Sequence, residues 1–188
     1  MLVLLVSDLH MPERSPNVPK KFRELLVPGK IQHVLCSGNL TSRTSLDFLR
    51  NIAGDVHVVR GDCDRSETSW PDEKVVRIGN LSIGMIHGHQ VFPNNSQKAL
   101  EAVRRSLQVD ILVHGSTHEQ KVDEIDGNLF INPGSLTGAS TSSGDKCQPA
   151  FALLDINGSA CTLYRYKLGS DNKVDVQPLE FKKRCPAA

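Results

Sequence analysis

The chain has 188 residues, with 39% apolar and 23% charged side chains and a formal net charge of +1. That size sustains one full core, read as a single domain over residues 1–188, and no Gly/Ser/Pro-rich linker argues for a split. Lys and Arg are scattered, with tight clusters only at Lys20-Lys21 and Lys182-Lys183-Arg184, which argues against nucleic acid or an anionic membrane as the main partner, since both need a concentrated basic face.

A first strand is expected at Leu2–Val6, an apolar run too short for a signal peptide that leads directly into Asp8 and His10. Helical spacing of Phe22, Leu25 and Leu26 predicts a helix over Pro19–Leu26, before a strand at His33–Cys36. Leu46, Leu49 and Ile52 form a stripe on a helix over Ser42–Ala53, with Thr41 or Ser42 as N-cap and Gly54 as the stop. A strand at Val56–Arg60 follows. Lys74–Ile78 and Leu81–Ile86 flank Gly79-Asn80 and read as a hairpin. Ala99, Leu100, Val103 and Leu107 predict a helix from about Ser96 to Leu107, before a strand at Asp110–Val113. The last third is strand-rich: Gln120–Ile125 and Asn128–Ile131 around Asp126-Gly127, then Ala150–Ile156, Ala160–Lys167 and Val174–Phe181. The five cysteines, Cys36, Cys63, Cys147, Cys161 and Cys185, are odd in number and lack a CxxC pair, which fits a reducing cytoplasm.

Five apolar runs end in residues that can ligate metal or shape a tight loop. They deliver Asp8 and His10, Asn39, Asp62 and Asp64, His87 and His89, and His118. Open α/β sheets carry their functional groups in the crevice beyond the strand C-termini. A mixed set of nitrogen and oxygen donors suits zinc, manganese or iron better than calcium. Asp8, His10, Asn39, Asp62, His87 and His118 offer six donors, more than one tetrahedral ion needs, so two adjacent ions are the sharper reading. His33, His57 and His114 are read as structural or surface groups, and His89 as a residue orienting a ligand. Val91 and Phe92 follow the His-Gly-His loop, where an exposed pair would anchor a partner; burial under the next helix is the competing reading.

The ordered motifs Asp8-x-His10, Gly38-Asn39, Gly61-Asp62-Cys63-Asp64, His87-Gly88-His89 and Gly115-Ser116-Thr117-His118 resemble those of the calcineurin-like metallophosphoesterase superfamily. The resemblance implies a four-layer α-β-β-α sandwich, two mixed sheets flanked by helices. It also assigns Asp8, His10, Asn39 and His118 to one metal and Asn39, Asp62 and His87 to a second. Three departures stand out. A bridging aspartate of active members is Asn39 here, a ligand that is typically asparagine is Asp62, and a histidine is Ser116. Cys63 also occupies a position that many members fill with a proton-donating histidine. Zinc or manganese is therefore expected to be weakly bound or absent, and the chain to be non-catalytic.

Local wording such as Val27-Pro28-Gly29-Lys30-Ile31-Gln32-His33 and Ala53-Gly54-Asp55-Val56-His57 resembles the retromer-subunit branch of that superfamily. That branch implies a scaffold for endosomal sorting, in which the old metal-site face docks a large α-solenoid subunit. It further implies an apolar patch that recruits Rab regulators, with Leu2, Leu25, Leu153, Tyr164, Tyr166 and Val176 at the corresponding positions, although periodicity cannot separate these from core. Membrane association would come only through the complex, on endosomes. The rival expectation is a manganese- or zinc-dependent phosphodiesterase with a two-metal mechanism.

Overall fold

The computed structural model describes residues 1–65, 69–93, 96–141, 143–144 and 147–183. Arg184, Cys185 and parts of the Ser66–Glu73 and Thr137–Lys146 loops lie outside these residues. Period-two burial along the first strand, β1 (Leu2–Val6), sets the architecture. Val3 and Leu5 enter one core while Leu4 and Val6 enter another, and all four are fully buried. A strand buried on both faces needs cover on both sides.

That cover comes from two mixed sheets and three helices. β1 pairs in parallel with β2 (His33–Cys36), which pairs in parallel with the edge strand β3 (Asp55–Val58). On its other side β1 runs antiparallel to β9 (Ala150–Asn157), followed by β10 (Ala160–Leu168) and β11 (Val174–Lys182). The second sheet has the order β4 (Glu73–Ile78), β5 (Leu81–Ile86), β6 (Ile111–Val113), β8 (Asn128–Asn132), β7 (Lys121–Ile125), with β5, β6 and β8 parallel. Val3, Leu35, Ile83, Val113, Ile131 and Leu154 meet between the sheets.

Helices α1 (Lys20–Leu25) and α2 (Arg43–Ile52) cover the outside of the six-stranded sheet through Phe22, Leu49 and Ile52. Helix α3 (Gln97–Leu107) covers the five-stranded sheet through Leu100, which packs in one cluster with Leu112 and Phe130. The four-layer expectation holds. Of the two N-cap candidates for α2, Ser42 fills the role, its hydroxyl accepting from the Ser45 N–H at 3.2 Å. Strand β3 stops at Val58, short of the expected Arg60, because Arg60 turns away: its N–H donates to the Pro71 carbonyl and its guanidinium to Asp72. No helix among the described residues is long and apolar enough to cross a membrane.

Candidate metal centre

Five of the parallel strands, β1, β2 and β3 of one sheet and β5 and β6 of the other, release their loops at C-terminal ends that converge on one edge. The loops are stitched to one another through the backbone. Asp8 N–H donates to the Gly38 carbonyl, His10 N–H to Asn39, and Gly115 N–H to His87. Several ligand-type residues adopt left-handed backbone: Asp8, His10, Asn39 and His118, with φ of 51°, 45°, 56° and 59°. Asp, Asn and His tolerate that region better than most residues, and such conformations cluster where surrounding contacts dictate them. Close approach also requires glycine. A Cβ on Gly61 would lie 2.1 Å from Asn39 Oδ1, and one on Gly115 would lie 2.0 Å from Ser7 Oγ.

Asp8, His10 and His118 form one buried half of the centre. His10 Nε2 and His118 Nε2 are 3.3 Å apart, and Asp8 Oδ1 lies 3.6 Å from His118 Nε2 and 3.9 Å from His10 Nε2. The His118 Nδ1–H donates to the Ala139 carbonyl at 2.8 Å, which leaves Nε2 with its lone pair inward. Burial lowers the His10 pKa to about 4, so its ring is neutral and able to ligate at neutral pH. These separations match the edges of a coordination shell with bonds of about 2.0–2.2 Å. The donor set fits a divalent transition metal.

The second half contains His87, Asp62 and Asn39. His87 Nδ1–H donates to the Ser37 carbonyl at 2.6 Å, aiming Nε2 at Asp62 Oδ1, 3.0 Å away. Two acceptors face each other there unless a proton or a cation intervenes. Burial opposes a charged His87, but the Asp62 hydrogen bond and the Asp8 charge outweigh it and raise its pKa. The hydrogen bond from His87 in turn holds Asp62 well below the usual carboxylate range. His89 joins this half from the exposed side, its ring 5.3 Å from that of His87.

Asn39 lies between the halves, and its amide orientation is fixed. Oδ1 accepts from the Cys63 N–H at 2.9 Å. Nδ2 is therefore the atom that faces Asp8 Oδ1 at 3.4 Å, and Asp62 Oδ1 and His87 Nε2 at 3.0 Å each. An amide nitrogen has no lone pair to give a metal. In this arrangement its protons tie the acceptors together where a carboxylate would bridge two ions.

Residues 1–159 match the family model for the calcineurin-like phosphoesterase superfamily domain. Vacuolar protein sorting-associated protein 29 of Schizosaccharomyces pombe is 39% identical over 187 residues, 97% of this chain and 99% of that protein. The chain belongs to the Vps29 family of calcineurin-like phosphoesterases. Vps29 of Chaetomium thermophilum superposes with a TM-score of 0.93 at 38% identity, over 98% of this chain and 100% of that one. Wild-type Vps29 of Entamoeba histolytica, whose crystal structure is a complex with Zn²⁺, gives a TM-score of 0.90 at 44% identity, covering 97% of this chain and 100% of that one.

For this Vps29-family chain the structure brings all six expected ligand positions together. Ser116, where the superfamily pattern has histidine, reaches the centre with its backbone, whose N–H donates to Asp8 Oδ2 at 3.0 Å. The Cys63 thiol is pushed up by burial and stays protonated. Sequence reasoning missed Asp64 as the organiser of the edge. Its buried carboxylate accepts from the N–H groups of Asn39, Gly61 and Thr41, each at 2.8 Å. The signal was the second aspartate of Gly-Asp-Cys-Asp, whose two carboxylate oxygens are both taken up by these N–H groups and which cannot be buried without donors. Ser135, also missed, donates from its hydroxyl to the Asp8 carbonyl at 2.7 Å.

The expected anchor pair is split by the structure. Phe92 is 89% exposed, whereas Val91 is only 6% exposed and packs with Ile86, Leu100 and Phe130 beneath α3. The Val91 N–H donates back to the Gly88 carbonyl, closing a turn at whose end Val91 is seated against the core while Phe92, one residue on, stays in solvent. Val91 therefore supports the loop from below. On the outer face of the six-stranded sheet, cross-strand register aligns Leu153 with Tyr164, and Tyr166 with Val176. Leu2, Leu153, Tyr164 and Tyr166 are half-buried there, while Leu25 and Val176 are exposed at 47% and 42%.

Proposed function

We propose that this chain is a non-catalytic scaffold subunit of the retromer coat, a single metallophosphoesterase-like domain acting in endosome-to-Golgi retrieval and cargo recycling. It docks a large α-solenoid subunit at the strand-end edge and recruits Rab regulators at the apolar outer face. It reaches endosomal membranes from the cytoplasm only through that complex. Membership of the Vps29 family supports this reading, and the observation that carries it is Phe92. A phenylalanine 89% exposed beside a cluster of polar ligands is costly to leave in water and is the kind of side chain that anchors an interface. Leu2, Leu25, Leu153, Tyr164, Tyr166 and Val176 would form the second surface.

Asn39 and Ser116 argue for zinc or manganese held weakly by Asp8, His10, Asp62, His87 and His118. Asn39 would join only by rotating its amide away from the Cys63 N–H. A bound cation would supply charge to draw these carboxylates and imidazoles together, fixing the shape of the rim. Convergence of the same residues favours a second reading, a metal-dependent phosphodiesterase. Turnover of an aryl phosphodiester with added Mn²⁺, abolished in Asp8→Ala, would establish it.

The docking face is tested with paired variants. Phe92→Asp should weaken capture of the α-solenoid subunit by roughly 2 kcal/mol or more, since the charge would be desolvated at an apolar contact. Its own stability should move by less than about 0.5 kcal/mol, as expected for an exposed site. Val91→Ala should do the reverse, costing roughly 1–3 kcal/mol of stability and altering capture little. Unchanged capture by Phe92→Asp would remove this edge as the docking face.

A further inference from the structure

At the opposite end of β2 and β3 from the metal centre lies a second convergence of metal-type donors. His33 opens β2 and Asp55 opens β3, and the parallel register pairs them side by side. His57 follows Asp55 by two residues and so projects from the same face. That face is the inter-sheet one, because Val34, Cys36, Val56 and Val58 pack toward the helices while Leu35 lies between the sheets. Three regular strand positions thus aim two imidazoles and a carboxylate at one point, without the unusual backbone that the other centre requires. His33 Nδ1 is 2.6 Å and His57 Nε2 3.1 Å from the same oxygen, Asp55 Oδ2. The three ligand atoms lie within 4.8 Å of one another.

We propose that His33, Asp55 and His57 form a second, separate zinc site, a three-ligand cradle that clamps the edge strand β3 to β2. Two nitrogens and one carboxylate oxygen are a donor set suited to zinc, and three protein ligands leave a fourth position for water or for a side chain of a partner. The cradle is open enough for entry: the His33 and His57 side chains are 24% and 17% exposed and that of Asp55 49%. It is also preorganised, since all three residues stand on hydrogen-bonded strands. Short-range pairing of both imidazoles to one carboxylate holds Asp55 below its ordinary pKa against the opposing effect of burial, which keeps the oxygen anionic at neutral pH. β3 is a four-residue edge strand, the element of this sheet with most to gain from a cross-strand tie.

The test is calorimetric titration of metal-stripped full-length protein with Zn²⁺. The variants are Asp55→Asn and His57→Ala at the cradle, and Asp8→Asn at the other centre. The cradle variants are each expected to lose one zinc equivalent, or to bind it at least ~10–100-fold more weakly, while Asp8→Asn retains it. Zinc should raise the melting temperature of Asp8→Asn but not of the double variant Asp8→Asn/His57→Ala. Anomalous diffraction at the zinc edge from unmutated crystals provides a measurement that no folding defect can disturb. A peak coordinated by His33, Asp55 and His57 is expected. Isotherms of His57→Ala indistinguishable from unmutated protein, or a map with no peak at this position, would overturn the proposal.

Discussion

Two surfaces of this molecule are candidates for contact, and they are assembled in opposite ways. The strand-end edge is made of loops. Most of its ligand-type side chains are buried, its backbone is repeatedly left-handed, and each loop depends on its neighbours for hydrogen bonds. The outer face over β9, β10 and β11 is made of regular antiparallel strands, whose apolar residues are half-exposed and which are held in register by their ladder hydrogen bonds. The edge can therefore be perturbed from one atom, whereas the outer face should absorb changes one side chain at a time.

Asp64→Ala should show the contrast most strongly. It removes the carboxylate that accepts from Asn39, Gly61 and Thr41, leaving three inward-facing N–H groups without it. An unsatisfied buried donor costs about 1–3 kcal/mol, so urea denaturation should register a loss of about 3–5 kcal/mol for the whole protein. Asp64→Asn keeps one oxygen and should recover part of that. A loss below about 1 kcal/mol would mean that the edge is less interdependent than its hydrogen bonds imply.

A smaller difference should appear in acid. Burial lowers the His114 pKa to about 4, and His10 is lowered to about 4 for the same reason. An unfolded histidine titrates near 6.5, so between about pH 6.5 and 4 the unfolded chain takes up a proton that the folded chain refuses. The stability contributed by neutral His114 is complete above about pH 6.5 and declines as pH falls toward 4, by up to roughly 2–3 kcal/mol. His114→Gln should flatten that limb in a chelator-containing pH series. The apolar positions of the outer face have no group that titrates in this range; Tyr166 is raised by burial and moves further from it.

What could be read in the sequence follows the same division. The edge was legible because its chemistry needs particular residue types at strand ends, so Asp8, His10, Asp62, His87 and His118 declared themselves. The regular strands were legible from period-two alternation and turn pairs such as Asp126-Gly127, whose positive φ values of 50° and 71° suit a tight hairpin. Asp64 went unassigned because a buried acceptor of backbone N–H groups has no motif apart from its context. The split between Val91 and Phe92 depended on one turn, which neighbouring residues of similar apolarity cannot announce. His33 and His57 looked unrelated at a separation of 24 residues, until the parallel register of β2 and β3 placed them around Asp55. For Leu153, Tyr164 and Tyr166, alternation identifies the face on which they lie but not whether a helix covers it.

Whether a helix covers a residue of the outer face decides the size of the expected effect there and gives the sharpest test of that face. Phe151 is fully buried, edge-on to Phe22 of α1 and stacked on Tyr166 at 4.5 Å, so Phe151→Ala should cost about 3–5 kcal/mol. Leu25 at the end of α1 and Val176 on β11 already meet solvent, and Leu25→Ser or Val176→Ser should move the folding free energy by less than about 0.5 kcal/mol each. If the outer face recruits Rab regulators, the Leu25→Ser/Val176→Ser double variant should lose them while still capturing the α-solenoid subunit. Phe92→Asp should give the opposite pattern. Loss of both partners from either variant would mean that the two surfaces act as one, and the division between loop-built edge and strand-built face would carry no functional weight. Independent losses with unchanged melting curves would show that this chain keeps two docking surfaces on one core, with Phe92 anchoring one and residues already open to water anchoring the other.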